Sequence, residues 1–266
     1  MTEANQVLLT RREGAVLVLS NNNVAARNAL SPEFYAAVSA ALKSAATDPT
    51  VGAVVLTGEG GHFCAGGDLR QLAKRRELPV QERRAKLEGL HDLIRSVRDS
   101  PKPVIAAVEG AAAGAGLSLA LACDMLVAAK NAVFSVAYVK VGLTPDGGAT
   151  AFLAEFVSRQ VLTELCLTGE RISGERLHAL GPVNRLSEPG QAQADAVALA
   201  AQVATGPDQA MALIKDLCRQ APRNTLEEQL ELEAQYMVRS QESEESREGI
   251  GAFLEKRSAD FTKLRG

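Results

Sequence analysis

Five short apolar runs constrain this chain more than any other feature: AVLVLS at 15–20, AVVLT at 53–57, VIAAV at 104–108, MLVAA at 125–129 and AVFS at 132–135. Each is uncharged and too short for a helix, so each reads as a strand buried on both faces. Such strands belong in a sheet whose two sides are covered, and helical patterns lie between them to do the covering. The segment SPEFYAAVSAALKSAA at 31–46 offers Ser31 as N-cap and Pro32 as first helical residue, with Phe34, Val38, Ala41 and Leu42 on one face. A second helical pattern over 71–98 carries Leu87, Leu90, Leu93, Ile94 and Val97, until Pro101 and Pro103 stop it. The alternation predicts an α/β fold built from ββα-like units.

Further along, the alanine-rich stretch AAAGAGLSLALACD after Glu109-Gly110 reads as a helix, VKVGLTPDGGAT at 139–150 as a loop and 151–167 as a helix again. From about residue 190 the composition shifts to Ala, Gln, Glu and Arg at helical spacing, with breaks near Thr205-Gly206-Pro207 and at Pro222. Two parts are expected: a core over 1–190 and a helical region over 191–266, whose long helix from 224 to 256 turns Leu226, Leu230 and Met237 toward a neighbouring subunit.

Several function classes are disfavoured. With 29 Lys+Arg against 32 Asp+Glu, the net charge of −3 creates no field that would gather nucleic acid or an anionic membrane. Cysteines at 64, 123, 166 and 218 form no CxxC pair, and only three histidines, His62, His91 and His178, could join them, so no metal site is expected; His62 and His178 have no partner motif. Widely spaced thiols fit a reducing cytoplasm. The opening stretch MTEANQVLLTRREGAVLVLS lacks the basic start, apolar run and small-residue cleavage site of a secretion signal. The apolar stretch 103–129 is interrupted by Glu109 and Asp124, which suits a buried strand and helix better than a bilayer span.

Two glycine-rich segments stand at strand-to-helix junctions: FCAGGDL at 63–69 and GAAAGAGL at 110–117. Such junctions let a ligand oxygen approach main-chain N–H groups, where a helix N-terminus favours negative charge. Neither segment is a dinucleotide fingerprint, and no GxxxxGK[ST] phosphate loop exists. Taken together with ARNALS at 26–31, VVLTGEGGHFCAGGDL at 54–69, PKPVIAAVEGAAAGAGLSLALACDMLVAA at 101–129, VGLTPDGG at 141–148, LTGERISGERLHALGPVNRLS at 167–187 and GAFLEKR at 251–257, they make the chain resemble the crotonase (enoyl-CoA hydratase/isomerase) superfamily over nearly its whole length.

The resemblance implies a spiral of ββα units, a C-terminal helical region that builds homotrimers, commonly paired into hexamers, and an acyl-CoA thioester as substrate. Coenzyme A enters only as part of that substrate, with no separate cofactor and no metal. The matching positions make the amides of Gly67 and Ala115 the two donors to the thioester oxygen, with Ala115 standing where the family usually has glycine. Ala26, Arg27 and Ala29 match the stretch lining the CoA channel, and Ala65, Asp68 and Leu69 flank the first donor. Asp68 can equally cap the following helix. Phe261, after the GAFLEKR signature, is implied to close over the CoA adenine.

Two-glutamate hydratases of the superfamily carry acids at the positions that are Ser118 and Tyr138 here, and neither can serve as a general base near neutral pH. The resemblance is instead to the branch with an aspartate in the VGLTPDGG loop, Asp146. One carboxylate suffices to move a proton from C2 to C4 of a 3-enoyl-CoA, so an isomerase is expected, with a hydratase of atypical site as the alternative. Asp146 with His91 would alternatively make a hydrolase or dehalogenase-like enzyme, and a non-catalytic acyl-CoA-binding protein also fits. The dehalogenase branch carries tryptophan at position 138; this chain has no Trp, which favours an aliphatic or small acyl group.

Overall fold

The computed structural model describes residues 6–265. Six strands form the main sheet in the order β1-β2-β3-β4-β6-β9, comprising β1 (Leu8–Glu13), β2 (Val16–Asn21), β3 (Ala53–Gly58), β4 (Val104–Val108), β6 (Met125–Ala129) and β9 (Arg185–Ser187). All neighbours are parallel except β1 with β2. Alternate residues of the central strands enter two separate cores, as the two-residue period of a strand requires. Val18, Ala53, Val55, Ile105, Ala107 and Val127 pack against α8 (Ala192–Val203) through its Ala196, Leu199 and Ala200. Leu19, Val54, Leu56, Ala106 and Leu126 face the other way, into the core shared with α1 (Pro32–Thr47) and α3 (Val80–Arg98).

Each of β2, β3, β4 and β6 is followed within about ten residues by a segment in a second layer. After β2 it is Leu30, after β3 the stretch 64–67, after β4 the strand β5 (Ala111–Ala113), and after β6 the strand β7 (Val133–Ser135). Parallel bridges join Leu30 to Gly67 and Cys64 to Ala112; β5 then pairs parallel with β7, and β7 antiparallel with β8 (Ile172–Ser173). The chain therefore winds as a spiral. Successive turns stack edge to edge, which sets the 63–69 and 110–117 segments side by side.

Several elements follow the sequence reading closely. The Ser31 hydroxyl accepts from the Phe34 amide, and Phe34, Val38, Leu42 and Ala45 are buried on α1. Other elements depart from it. The pattern over 71–98 is two helices, α2 (Leu69–Arg75) and α3, because Pro79 cannot donate a helical hydrogen bond and starts α3 instead. Residues 111–113 are strand, not helix: Cys64 N–H donates to the Ala111 carbonyl and Ala113 N–H to the Cys64 carbonyl. Gly114, with φ +52, then turns the chain into the short α4 (Ala115–Leu121). Alanine's helix propensity yields there to strand pairing in a buried setting. The helix expected over 151–167 is divided into α5 (Ala149–Ala154) and α6 (Arg159–Thr168), with Ser158 capping the second.

The C-terminal helices are α8, α9 (Asp208–Gln220), α10 (Leu226–Gln241) and α11 (Glu244–Leu254), after α7 (Gly174–Ala179). The long helix expected from 224 breaks where Ser243 caps α11. A boundary at residue 190 cuts through the packed body, since α8 covers one face of the main sheet. A buried ionic cluster ties this region down. Lys102, just before β4, pairs with Asp208 at the start of α9, and Arg265 pairs with the same carboxylate at 2.8 Å while donating to the Ala204 and Gly206 carbonyls. Beside it, Lys215 pairs with Asp124 at 2.6 Å.

The stacking of turns leaves no room for a side chain at Gly116. A Cβ there would meet the Cys64 carbonyl oxygen, and the Cys64 Cβ and Sγ at 2.8 Å. Gly116→Ala is expected to cost about 1–3 kcal/mol, the usual penalty of overpacking, and to lower the thermal midpoint; an unchanged midpoint would show that the two turns can part freely.

Candidate active site

The two junctions meet as a pair of main-chain surfaces. A Cβ on Gly66 would lie 2.8 Å from the Ala113 carbonyl oxygen and 3.8 Å from the Ala115 nitrogen, so segments 66–67 and 113–115 are in van der Waals contact. Neither the Gly67 nor the Ala115 amide donates to a protein acceptor among the described residues. Ala115 is the first residue of α4, where an N–H has no partner within the helix. Its φ is not positive, so an alanine fits where glycine would otherwise stand. The glycine requirement falls one residue earlier, at Gly114. Behind the pair sits Cys64, whose thiol burial pushes up to about 12.

Segment 26–29 is fastened to the same place. The Ala65 amide donates to the Arg27 carbonyl at 3.0 Å, and the Leu30 amide to the Gly66 carbonyl at 2.8 Å. Arg27 and Asn28 have φ of 50° and 60°. The fully buried Asn28 side chain donates to the Glu59 and His62 carbonyls at 2.8 and 2.6 Å, and the Asn28 main-chain carbonyl accepts from the Asn21 side chain. The motif match did not single out Asn28. Its signal was asparagine's tolerance of the left-handed region. Ala26, Arg27, Ala65 and Leu69 are exposed, Ala29 is buried, and Arg27 makes no ion pair among the described residues. Asp68 takes the capping role: its Oδ1 accepts from the Arg70 amide at 2.8 Å at the start of α2.

The side-chain chemistry lies in a cluster formed by α4, the 3-10 turn Ala137–Val141 and the loop at 146–148. Tyr138, nearly buried, rests its ring against Gly114 and donates its hydroxyl to Asp146 Oδ1 at 2.7 Å. Ser118, fully buried, donates to the Asp146 main-chain carbonyl at 2.9 Å and lies 3.4 Å from the Tyr138 oxygen. Gly147 and Gly148 follow with φ of +60° and +87°, and the first packs toward Ser118 and Leu90. Burial, and then the Asp146 charge, raise the Tyr138 phenol above its ordinary value, so it stays protonated as a donor. Tyr35 of α1 also feels the Asp146 charge; burial above all pushes its phenol up to about 12, against the pull of Arg75. Tyr35 escaped the sequence reading because it neighbours Phe34 without lying on the apolar face of α1.

Two expected residues stand elsewhere. His91 pairs with Glu88 on the outer side of α3, Nδ1 to Oε1 at 3.4 Å, while Leu90 and Leu93 of that helix face inward. Phe261 lies against Gly249 of α11 within its own chain, at the start of the turn Phe261–Leu264. Among the described residues no group of three or more His, Cys, Asp or Glu could hold a metal ion, and no helix is long and apolar enough to cross a membrane.

A spiral of this topology, whose stacked turns bring segments 63–69 and 110–117 side by side, is that of the crotonase class of enzyme. The enoyl-CoA hydratase/isomerase family model matches residues 11–264, and the chain belongs to that family. It is 36% identical to the 1,2-epoxyphenylacetyl-CoA isomerase of Escherichia coli K12, over 97% of this chain and 98% of that protein. It is 33% identical to the 2,3-dehydroadipyl-CoA hydratase of the same organism, over 96% and 98%. Among solved structures, an enoyl-CoA hydratase from Polaromonas sp. JS666 superposes with a TM-score of 0.93 at 48% identity, covering 95% of this chain and 98% of that one.

All three tyrosines, 35, 138 and 236, are held above the ordinary phenol value. Less tyrosinate should therefore form at about pH 10, where a free phenol is half ionised, than three free phenols would give, with more growing in on further alkalinisation or unfolding. A Tyr138→Phe variant that removed a component titrating near pH 10 would contradict the buried donor described here.

Proposed function

We propose that the protein is an enoyl-CoA isomerase in which Asp146 moves a proton from C2 to C4 of a 3-enoyl-CoA. The carboxylate takes the C2 proton, the electron pair spreads to the thioester oxygen, and the Gly67 and Ala115 amides hold that oxygen as charge develops. Return of the proton to C4 leaves the double bond between C2 and C3. The observation that carries this reading is the Asp146 carboxylate, which accepts from Tyr138, whose ring packs toward Gly114, the residue before the Ala115 donor. One acid that both takes and gives a proton is enough for a double-bond shift.

The alternatives draw on less. Hydration is the other reading, supported by the hydratase descriptions of the dehydroadipyl-CoA and Polaromonas relatives; Ser118 and Tyr138 offer no second carboxylate to position water. A His91-assisted hydrolase is disfavoured by the pairing of His91 with Glu88, and a purely binding role by a carboxylate kept beside two free donors. The substrate is an acyl-CoA whose CoA part runs past Ala26, Arg27, Ala29, Ala65 and Leu69, with no further cofactor. The working unit is a homotrimer or hexamer in the cytoplasm, with Phe261 near the adenine. Exposed Leu226, Met237, Ile250 and Phe253 on α10 and α11 support such contacts, and four free thiols suit a reducing compartment.

Asp146→Asn should lower the double-bond shift on 3-enoyl-CoA by about 10²–10⁴-fold, the usual contribution of a general acid/base, while substrate binding persists. His91→Ala should leave turnover unchanged and release no free CoA. Assays of short, long and aryl 2-enoyl and 3-enoyl esters read both reactions together, and water addition that outpaces isomerisation would refute the proposal.

A further inference from the structure

We infer that Tyr138 is a positioning residue that fixes Asp146 so that one carboxylate oxygen carries the proton in both directions; this rests on the reading of Asp146 as the acid/base. The phenol donates to Oδ1 at 2.7 Å, the length of a charge-assisted bond, and its own ring is braced on Gly114. Ser118 holds the main-chain carbonyl of the same aspartate at 2.9 Å. Two consecutive left-handed glycines, Gly147 and Gly148, set the backbone immediately after it. Oδ1 is thereby engaged, whereas Oδ2 has no hydrogen-bond partner among the described residues. The C2–H bond breaks as an O–H bond forms at Oδ2, with the electron pair passing to the thioester oxygen. That O–H bond then breaks as C4–H forms, and the carboxylate is regenerated. Both carbons must present the same face to one oxygen, so the transfer is suprafacial.

The surroundings of Asp146 make this donor legible in a pH profile. Tyr138 faces it from the 3-10 turn, the uncharged Ser118 from α4, and Tyr35 from α1, while Leu90 of α3 packs on Gly147. Arg75 of α2 and Cys64 act on Tyr35, α5 carries no titratable side chain on ATAFLA, and His91 and Glu88 of α3 pair with each other. A bond from a neutral phenol stabilises the charged carboxylate, and its loss favours the protonated form.

The test is Tyr138→Phe in the full-length enzyme, assayed on 3-enoyl-CoA across pH beside Asp146→Asn. With Tyr138 positioning the base, kcat falls at least about tenfold, as for loss of a bond to a charged group, and KM stays within about twofold. The acid limb of kcat/KM moves up by about one pH unit, and Tyr138→Phe/Asp146→Asn is no slower than Asp146→Asn alone. Replacing tyrosine with 3-fluorotyrosine keeps the shape and strengthens the donor, so the acid limb should move down even if the Phe variant folds poorly. An inactive Asp146→Asn enzyme combined with native kcat and an unmoved acid limb in Tyr138→Phe overturns the positioning role alone. An active Asp146→Asn enzyme overturns the acid/base reading and the positioning role with it.

Discussion

Everything in this molecule depends on the edge-to-edge stacking of consecutive turns of the spiral. The bridges Leu30 to Gly67 and Cys64 to Ala112 are single pairings, yet they decide where two loops far apart in sequence meet. The contact is between main chains because the residues there are Gly66, Ala113 and Gly116. Larger side chains would hold the turns apart and separate the Gly67 and Ala115 amides. The parallel sheet beneath supplies the rigidity, since its central strands are buried on both faces and cannot shift register without exposing one core.

In the proposed reaction the donors belong to the backbone of this frame and the proton chemistry to side chains. Substituting a side chain at 67 or 115 leaves an N–H in place so long as the backbone angles allow it, and Ala115 is an instance. The carboxylate of Asp146, by contrast, resides in one residue of a loop bent by glycines. Positions that in two-glutamate hydratases carry acids are here a serine and a tyrosine that converge on the third position, Asp146. The same scaffold can therefore host different proton chemistry without rebuilding its oxyanion-binding surface, consistent with isomerase and hydratase descriptions among its relatives.

How far the sequence revealed this varies by element, for physical reasons. The α1 helix was legible because Ser31, Pro32 and an apolar face at helical spacing all agree. The edge strand β1 was hidden: LLTRRE exposes most of its length and carries charges, so its pattern is not that of a buried strand. Residues 111–113 were misread because strand pairing overrode the intrinsic preference of alanine. Motif matching singles out the Gly67 and Ala115 amides and Asp146 as candidates. It could not reveal the Tyr138 hydroxyl reaching that carboxylate, or the Ser118 bond across 28 residues, since these depend on tertiary distance. Asn28 and Tyr35 went unnoticed because each resembles its ordinary neighbours until the fold places it.

The cluster at Asp208 has a consequence for how the chain is made. Lys102 emerges well before its partner, and Asp208 in turn receives Arg265 a further 57 residues along the chain. During vectorial synthesis the sheet, with its α8 cover, can assemble while this anchor is incomplete. An ammonium that ends 8% exposed must wait more than a hundred residues for its carboxylate, so the nascent chain carries an unmatched charge at the foot of β4. Docking of the segment that carries Arg265 is then the step that closes the cluster, coupling it to the stability of strands made long before.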